Sequence, residues 1–147
     1  GDTVAEIGSS PGGACQALLK RDLKVIGIDP AKMHEALMKN PNFTHVRKKA
    51  SEMKRSDFSS VKWLMSDSNV APNYTLDGVE DIVNNKRTNI RGMLLTLKMI
   101  KWELAAELPS YLDRIRGWGY QYVRARQLAF NRQEICVAVQ RSRSKRR

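Results

Sequence analysis

Short apolar runs alternate with helical patterns along most of this chain, and this alternation restricts the fold more than any other feature. The runs predict five strands, at Thr3 to Ile7, Lys24 to Asp29, Phe43 to Val46, Val61 to Asp67 and Arg91 to Lys98. Helices are predicted between and after them, at Gly13 to Lys20, Met33 to Met38, Leu76 to Asn84 and Lys101 to Arg116. Strands and helices that alternate in this way indicate an α/β protein with a mostly parallel sheet.

The pattern changes near the C-terminus, where "YQYVRARQL" and "EICVAVQ" predict two successive strands. A turn around Asn131 and Arg132 is all that separates them, so this pair should be antiparallel. We therefore expect a doubly wound sheet with a terminal antiparallel hairpin and one reversed strand near an edge. Ligands of such sheets bind beyond the carboxyl ends of the strands. The residues that follow the predicted strands, 8–13, Asp29, Asp67 and Lys98, should line one crevice.

The loop "GSSPGG" after the first strand exposes backbone that a ligand could approach closely; it comprises Gly8, Ser9, Ser10, Pro11, Gly12 and Gly13. It lacks the Lys-Ser/Thr of a triphosphate-binding loop, and it is no clean G-x-G-x-x-G motif. A tight turn without a ligand is the alternative. Asp29 favours a nucleoside ligand, because an acid that ends the second strand can accept hydrogen bonds from ribose hydroxyls.

A formal net charge of +11 predicts a polyanionic partner, and nucleic acid is the obvious one. The basic residues occur in "VRKKASEMKR" and "YVRARQLAFNR" as well as in the tail, so the folded body should have a basic face. The tail, residues 141–147, has five basic residues among seven, and by itself it favours a disordered, solubilising end. Residues 1–140 are expected to form one folded domain.

Several classes of protein are disfavoured by what the sequence contains. No apolar run approaches the roughly 20 residues of a membrane span, and no signal-peptide pattern opens the chain. Cys15 and Cys136 are too few for a disulfide framework or a four-cysteine zinc site. His34 and His45 have no partners at ligand spacing, so no metal is expected. A reducing, cytoplasmic location is the prediction.

The segment "EIGSSPGG" resembles the first motif of the FtsJ-like ribose 2′-O-methyltransferases, a Leu/Ile-Gly-x-x-Pro-Gly-Gly loop that cradles S-adenosylmethionine. The segments "LTLKMIK" and "ARQLAFNRQEICVAVQR" are similar to the RlmM-type branch, which methylates a cytidine ribose in large-subunit ribosomal RNA. The resemblance extends nearly to Arg141. It implies a Rossmann-like class I methyltransferase catalytic domain over residues 1–140, RNA as partner, and S-adenosylmethionine bound by residues 8–13, Asp29 and Asp67.

The same resemblance implies three catalytic residues, because the family has a Lys-Asp-Lys-Glu tetrad. Its last three members match Asp67 after the fourth strand, Lys98 after the fifth, and Glu134 at the start of the last. Methyl transfer to a hydroxyl needs in-line placement and removal of a proton. Lys98 is the candidate base, Asp67 would orient it, and Glu134 would hold the ammonium or the ribose. A neutral lysine needs a pKa well below about 10.4, and two carboxylates alone would raise it, so a second cation is required.

The chain departs from the family pattern at three places, one of which is Ala14, where family members commonly carry an aromatic residue after Pro-Gly-Gly. The family's first lysine lies upstream of the first strand, whereas only Gly1 and Asp2 precede Thr3 here, so we interpret the sequence as an N-terminally truncated catalytic domain. Where an acid often recognises adenine after the third strand, residues 49–51 are Lys, Ala and Ser. These departures support an alternative, a non-catalytic RNA-binding module with the same fold. A methyltransferase for a small molecule or a protein is the third possibility.

Each singled-out residue also has a plainer interpretation. Lys98 alone could be a solvated strand end, Asp67 a cap and Glu134 an exposed hairpin residue; their joint order is what favours catalysis. The three tryptophans are expected to be core or half-buried aromatics, and they are Trp63, Trp102 and Trp118. The segment "SNVAPNYT" after Asp67 is expected to be a polar loop, either a substrate contact or a plain connector.

Overall fold

The computed structural model describes residues 1–127 and 133–141 of the 147-residue chain. Within these described residues, seven strands form one sheet. They are β1 (Thr3–Ile7), β2 (Lys24–Ile28), β3 (Phe43–Val46), β4 (Trp63–Ser66), β5 (Gly92–Lys98), β6 (Tyr122–Gln127) and β7 (Glu134–Gln140). All five strands predicted before the hairpin are confirmed to within two residues at each end.

Helical segments connect the strands. The α-helices are α1 (Gly13–Leu19), α2 (Glu35–Met38), α3 (Pro72–Val83) and α4 (Leu108–Gly117). Short 3₁₀ helices lie at Ala50–Glu52, Arg55–Phe58 and Trp102–Glu107.

The sheet has the order β3-β2-β1-β4-β5-β7-β6. Strands β1 to β5 are parallel, and β7 is antiparallel to both β5 and β6. The predicted doubly wound α/β sheet with a reversed strand next to its edge is confirmed. The predicted turn at Asn131 and Arg132 lies outside the described residues, as does the tail after Arg141.

The helices cover both faces of the sheet. On one face α3 and α4 pack against the larger core, to which Leu76, Ile82 and Ile115 contribute fully buried side chains. On the other face α1 and α2 enclose a smaller core around Cys15 and Phe43. Farther along that second face, a groove of about 440 Å³ lies over β4, β5 and β7. The parallel strands β1 to β5 all have their carboxyl ends at the same edge of the sheet.

The prediction of one helix from Lys101 to Arg116 is wrong in its first half. Residues Trp102–Glu107 form a 3₁₀ helix, and α4 begins only at Leu108, with Pro109 in its first turn. Proline fits a first turn but not a helix interior, because it lacks an N–H donor and its ring meets the carbonyl four residues earlier. The same preference starts α3 at Pro72, four residues before the predicted beginning at Leu76.

Helices α3 and α4 are linked by one polar cluster. Arg114 Nη2 donates to Asp77 Oδ1 at 2.6 Å and to Glu80 Oε2 at 2.7 Å. Trp118 Nε1 donates to the other oxygen, Glu80 Oε1, at 2.9 Å. Hydrogen bonds from Arg114 and Trp118 hold the pKa of Glu80 below its ordinary value.

Replacing Glu80 with alanine should lower the free energy of unfolding by about 1 kcal/mol at neutral pH, since solvent screens this partly exposed pair. The pKa of Glu80 is lower in the folded state, so its contribution is present above the unfolded pKa of about 4.3 and is lost as the pH falls through the folded value. Urea unfolding at neutral and acidic pH measures the difference, which should shrink in acid. Glu103→Ala, at an exposed acid without an ion pair among the described residues, is the matched control. An equal loss in both variants would contradict the role of the cluster.

Candidate active site

A cavity of about 760 Å³ opens at the carboxyl ends of β1, β2, β4 and β5. The segment after β3 and the first turns of α3 complete its walls. Five of the residues predicted from the sequence line it: Gly8, Ser10, Asp29, Asp67 and Lys98. The expectation of a shared crevice at this edge of the sheet therefore holds for these residues.

Gly8 lies where the backbone of the loop crosses the end of β4. Its φ is +75°, and a Cβ at this position would collide with the carbonyl oxygen of Asp67. Backbone hydrogen bonds fix the approach: Gly8 N donates to Ile28 O at 2.9 Å, and Asp67 N donates to Ile7 O at 2.9 Å. Both the left-handed conformation and the lack of space require glycine here. The glycine loop and the proposed catalytic acid are thus positioned by each other.

The carboxylate of Asp29 is held by the backbone around it. Its Oδ2 accepts a hydrogen bond from Ser10 N at 3.1 Å, and its Oδ1 accepts one from Ala31 N at 2.8 Å. Because each carboxylate oxygen can accept about two hydrogen bonds, both keep capacity for a ligand in the cavity. Asp29 therefore both orders the loop and offers oriented acceptors to a bound molecule.

The second half of the loop has a different environment. Residues 11–13 line a smaller pocket of about 240 Å³ together with residues of α2. Gly12 has φ +118°, and a Cβ there would collide with Leu37 of α2. Ser9 is buried, with Oγ donating to a methionine sulfur. Of the six loop residues predicted to bind cofactor, the structure brings only Gly8 and Ser10 to the large cavity; Ser9 and Gly12 are buried, and Pro11 and Gly13 are exposed.

The three residues predicted to be catalytic meet at one point. Lys98 Nζ lies 3.3 Å from Asp67 Oδ1 and 3.3 Å from Glu134 Oε1. Pairing of β5 with β7 places Lys98 opposite Glu134, while Asp67 follows the neighbouring strand β4. Lys98 and Glu134 are mostly buried, and Asp67 is the exposed member. The arrangement can hold an ammonium, or a hydroxyl that replaces one of its contacts, between two carboxylates.

Opposing effects act on the pKa of Lys98. Burial lowers it, but the charges and hydrogen bonds of Asp67 and Glu134 together outweigh burial, so the pKa lies above its ordinary value. Lys98 is therefore an ammonium at neutral pH. The direction agrees with the effect expected of two carboxylates beside a lysine.

Glu6 is a buried acid close to this site that the sequence analysis did not single out. It lies in β1, and its Oε2 accepts a hydrogen bond from Cys15 Sγ at 2.9 Å beneath the glycine loop. Burial raises the pKa of Glu6, and the negative charges of Asp67 and Asp29 add to that effect. An acid in the middle of a short apolar strand is the signal that could have revealed it.

Two aromatic residues were also misjudged or missed. Trp102, expected to be core or half-buried, is exposed, while Trp63 and Trp118 are half-buried as expected. Tyr74 was assigned to a polar loop but lies in the first turn of α3, exposed and lining the large cavity. Periodicity locates apolar faces on a helix, but it does not show which aromatic side chains the tertiary fold leaves uncovered.

In the described parts of the chain, no group of three histidine, cysteine or acidic side chains is arranged to hold a metal ion. Nor is any helix there long and apolar enough to cross a lipid bilayer.

Comparison with known proteins points to one family. The model of the FtsJ-like methyltransferase family matches residues 1–110. No curated protein sequence matches the chain significantly.

Solved structures resemble this one in fold. The fibrillarin pre-rRNA processing protein of Methanococcus jannaschii has a TM-score of 0.72 at 12% identity, over 95% of this chain and 66% of its own. Fibrillarin from a complex with Nop5p has a TM-score of 0.75 at 14% identity, over 96% of this chain and 73% of its own. A variant of the 16S rRNA (adenine(1408)-N(1))-methyltransferase of Catenulisporales acidiphilia has a TM-score of 0.63 at 14% identity, over 95% and 84%. A second structure of that enzyme, with cosubstrate SAM, has a TM-score of 0.59 at 15% identity, over 94% and 84%. At these identities the likeness shows the shared fold.

Proposed function

The chain belongs to the FtsJ-like methyltransferase family, and from that premise we propose that it transfers a methyl group from S-adenosylmethionine to a ribose 2′-hydroxyl of RNA. One observation carries the proposal: Lys98 Nζ lies 3.3 Å from both Asp67 Oδ1 and Glu134 Oε1. These groups adjoin a cavity that also contains Gly8 and Asp29. An acceptor hydroxyl would be placed by Lys98 and Glu134, next to Asp67.

The cavity suits S-adenosylmethionine. Its volume of about 760 Å³ is in the range of small-molecule sites. Asp29 would accept hydrogen bonds from the ribose hydroxyls, and the backbone of Gly8 and Ser10 would lie against the ligand. When bound, S-adenosylmethionine supplies an electrophilic methyl group on its sulfonium. The negative charge of Asp67 favours a cation at that end of the cavity.

Lys98 would control the proton of the acceptor hydroxyl. A neutral Nζ can take that proton, whereas the ammonium form can only donate hydrogen bonds. Asp67 and Glu134 fix the position of Nζ, but they also raise its pKa. A further cation near Nζ would lower that pKa and increase the reactive fraction. We propose that the first lysine of the FtsJ-like tetrad, which lies upstream of the first strand in the family, fulfils this role.

RNA is the substrate class that the chain's charge favours. The formal net charge of +11 would attract a polyanion and stabilise its binding through the release of counterions. The names of two similar structures, a pre-rRNA processing protein and a 16S rRNA methyltransferase, support ribosomal RNA in particular.

Product analysis tests this proposal. The full chain is incubated with ribosomal RNA and S-adenosylmethionine labelled in its methyl group, and the RNA is digested to nucleosides. We expect label in a 2′-O-methylnucleoside, and none when the target nucleotide carries a 2′-deoxyribose. Label in a methylated base would contradict the ribose assignment.

The alternative is a non-catalytic RNA-binding module with the same fold, and it is favoured by the segment after β3, where Lys49, Ala50 and Ser51 line the cavity in place of an acid for adenine. Calorimetric titration with S-adenosylmethionine separates the two functions. Binding that saturates at one equivalent supports the methyltransferase. A folded chain that binds RNA but releases no heat with S-adenosylmethionine supports the module.

A further inference from the structure

Exposed large apolar side chains are concentrated beside the candidate active site. Among the described residues they number six, and four of them lie in the two segments that follow Asp67 and Lys98: Val70, Tyr74, Ile100 and Trp102. Tyr74 is 72% exposed and Trp102 is 67% exposed. The other two, Met38 and Leu94, lie elsewhere in the fold. Apolar surface gathered at a site, rather than scattered, indicates contact with another molecule.

The first segment lines the cavity, and the second follows Lys98, which also lines it. Val70 and Tyr74 line it together with Lys98. Trp102 follows Lys98 by four residues, so its Cα lies within about 15 Å of the Lys98 Cα. Trp102 is held in place, because Met99 before it is buried and Leu104 after it packs against the main core. The exposed indole is therefore presented by an anchored 3₁₀ helix that begins four residues after Lys98.

Basic residues alternate with these apolar ones. In the stretch "KMIKW", Lys101 lies between Ile100 and Trp102, and it is exposed. Glu103 is the acid that follows. Cations that contact phosphates, next to aromatic rings that contact bases, are the arrangement by which proteins bind single-stranded nucleic acid. A base-paired duplex offers no free base face to such rings, so the arrangement favours an unpaired strand.

We infer that Trp102 and Tyr74 form a stacking surface for unpaired bases of the RNA strand whose ribose enters the cavity. The inference rests on the proposed function only in taking RNA as the substrate. Lys101 contacts the phosphate backbone of the same strand. The surface would accept any base, because every base has a π-face, and it would position the strand relative to Lys98.

Equilibrium binding of a fluorescent single-stranded oligoribonucleotide tests the inference. Trp102→Ala and Tyr74→Ala should each weaken binding by about 5- to 150-fold, the range of one base–aromatic stack. Trp102→Phe, which keeps an aromatic face, should retain most of the affinity. Met38→Ala, at another exposed apolar residue, is the control and should bind as the unaltered protein does.

An oligomer of the same length with abasic sugars provides the decisive comparison. The alanine variants should bind it as the unaltered protein does, since it has phosphates but no bases. Equal losses on both oligomers, or no loss on either, would overturn the inference. A Trp102→Ala protein with unchanged RNA affinity but a changed sedimentation coefficient would overturn it too, because the surface would then join two copies of the chain. If Tyr74→Ala lost affinity for S-adenosylmethionine but not for RNA, Tyr74 would not belong to the stacking surface.

These outcomes are separate from those of the proposed function. Absence of a 2′-O-methylnucleoside, with base-dependent binding through Trp102 intact, would reject the reaction and keep the stacking surface. Formation of a 2′-O-methylnucleoside, together with binding that does not depend on bases, would keep the reaction and reject the stacking surface.

Discussion

Replacement of Lys98 by methionine should lower the rate of methyl transfer to RNA by about 100- to 10,000-fold, the usual contribution of a general base. Methionine keeps an apolar stem of similar length but has no group that can take a proton or join Asp67 to Glu134. Single-turnover methyl transfer measures the effect. Binding of S-adenosylmethionine and RNA should change only a few-fold. Unchanged activity would remove Lys98 from the mechanism.

Lys98→Arg separates the charge of residue 98 from its basicity. Arginine can keep both ion pairs, but it stays protonated at any pH the protein tolerates. We expect this variant to be nearly as slow as Lys98→Met. An arginine variant with close to full activity would show that a fixed cation is sufficient and that residue 98 takes no proton.

The raised pKa of Lys98 also predicts how the rate depends on pH. Below that pKa the neutral fraction of Nζ rises about tenfold per pH unit, so the rate should increase from neutral into alkaline solution. Glu134→Gln removes one of the charges that raise the pKa, and it should therefore move the rise to lower pH. A flat profile in both proteins would argue against proton transfer to Lys98.

Replacement of Gly8 by alanine should lower the free energy of unfolding by about 2–4 kcal/mol, combining a left-handed conformation with a backbone collision. The added Cβ would meet the carbonyl oxygen of Asp67, which cannot turn aside as a flexible side chain could. Relief of the collision must separate the loop from the end of β4. Affinity for S-adenosylmethionine should therefore fall with stability, as urea unfolding and calorimetry would measure.

Gly13→Ala is the matched control, in the same loop. A Cβ at Gly13 has no heavy atom within 4 Å, and the residue begins α1. Its unfolding free energy should stay within about 0.5 kcal/mol of the unaltered protein. Similar unfolding free energies for Gly8→Ala and Gly13→Ala would show that the loop can rearrange at residue 8 with little loss of stability.

The sequence was sufficient to predict the order of strands in the chain and the proximity of Asp67, Lys98 and Glu134. Short apolar runs with turn residues between them are strands in most contexts, and parallel strands bring their carboxyl ends to one edge. Asp67 and Lys98 follow two such runs, so their proximity could be expected. Glu134 could be placed with them only through the resemblance and the reversed pairing of the last strands.

Other features depend on contacts between distant segments. Gly12 is constrained by Leu37, which is 25 residues later in the chain, and no local pattern indicates that contact. The exposure of Trp102 depends on where α4 begins, and the helical pattern was extended across Pro109 against that residue's own preference. Such errors arise where tertiary packing or a single residue outweighs periodicity.

The position of β7 between β5 and β6 has a consequence for synthesis of the protein on the ribosome. The glycine loop, Asp67 and Lys98 are synthesised first, whereas Glu134 follows with β7, after the other six described strands. Until that strand inserts, β6 lacks its neighbour and the ammonium of Lys98 lacks its second carboxylate. The translated chain thus acquires its complete acid–lysine–acid cluster in the same event that closes the sheet.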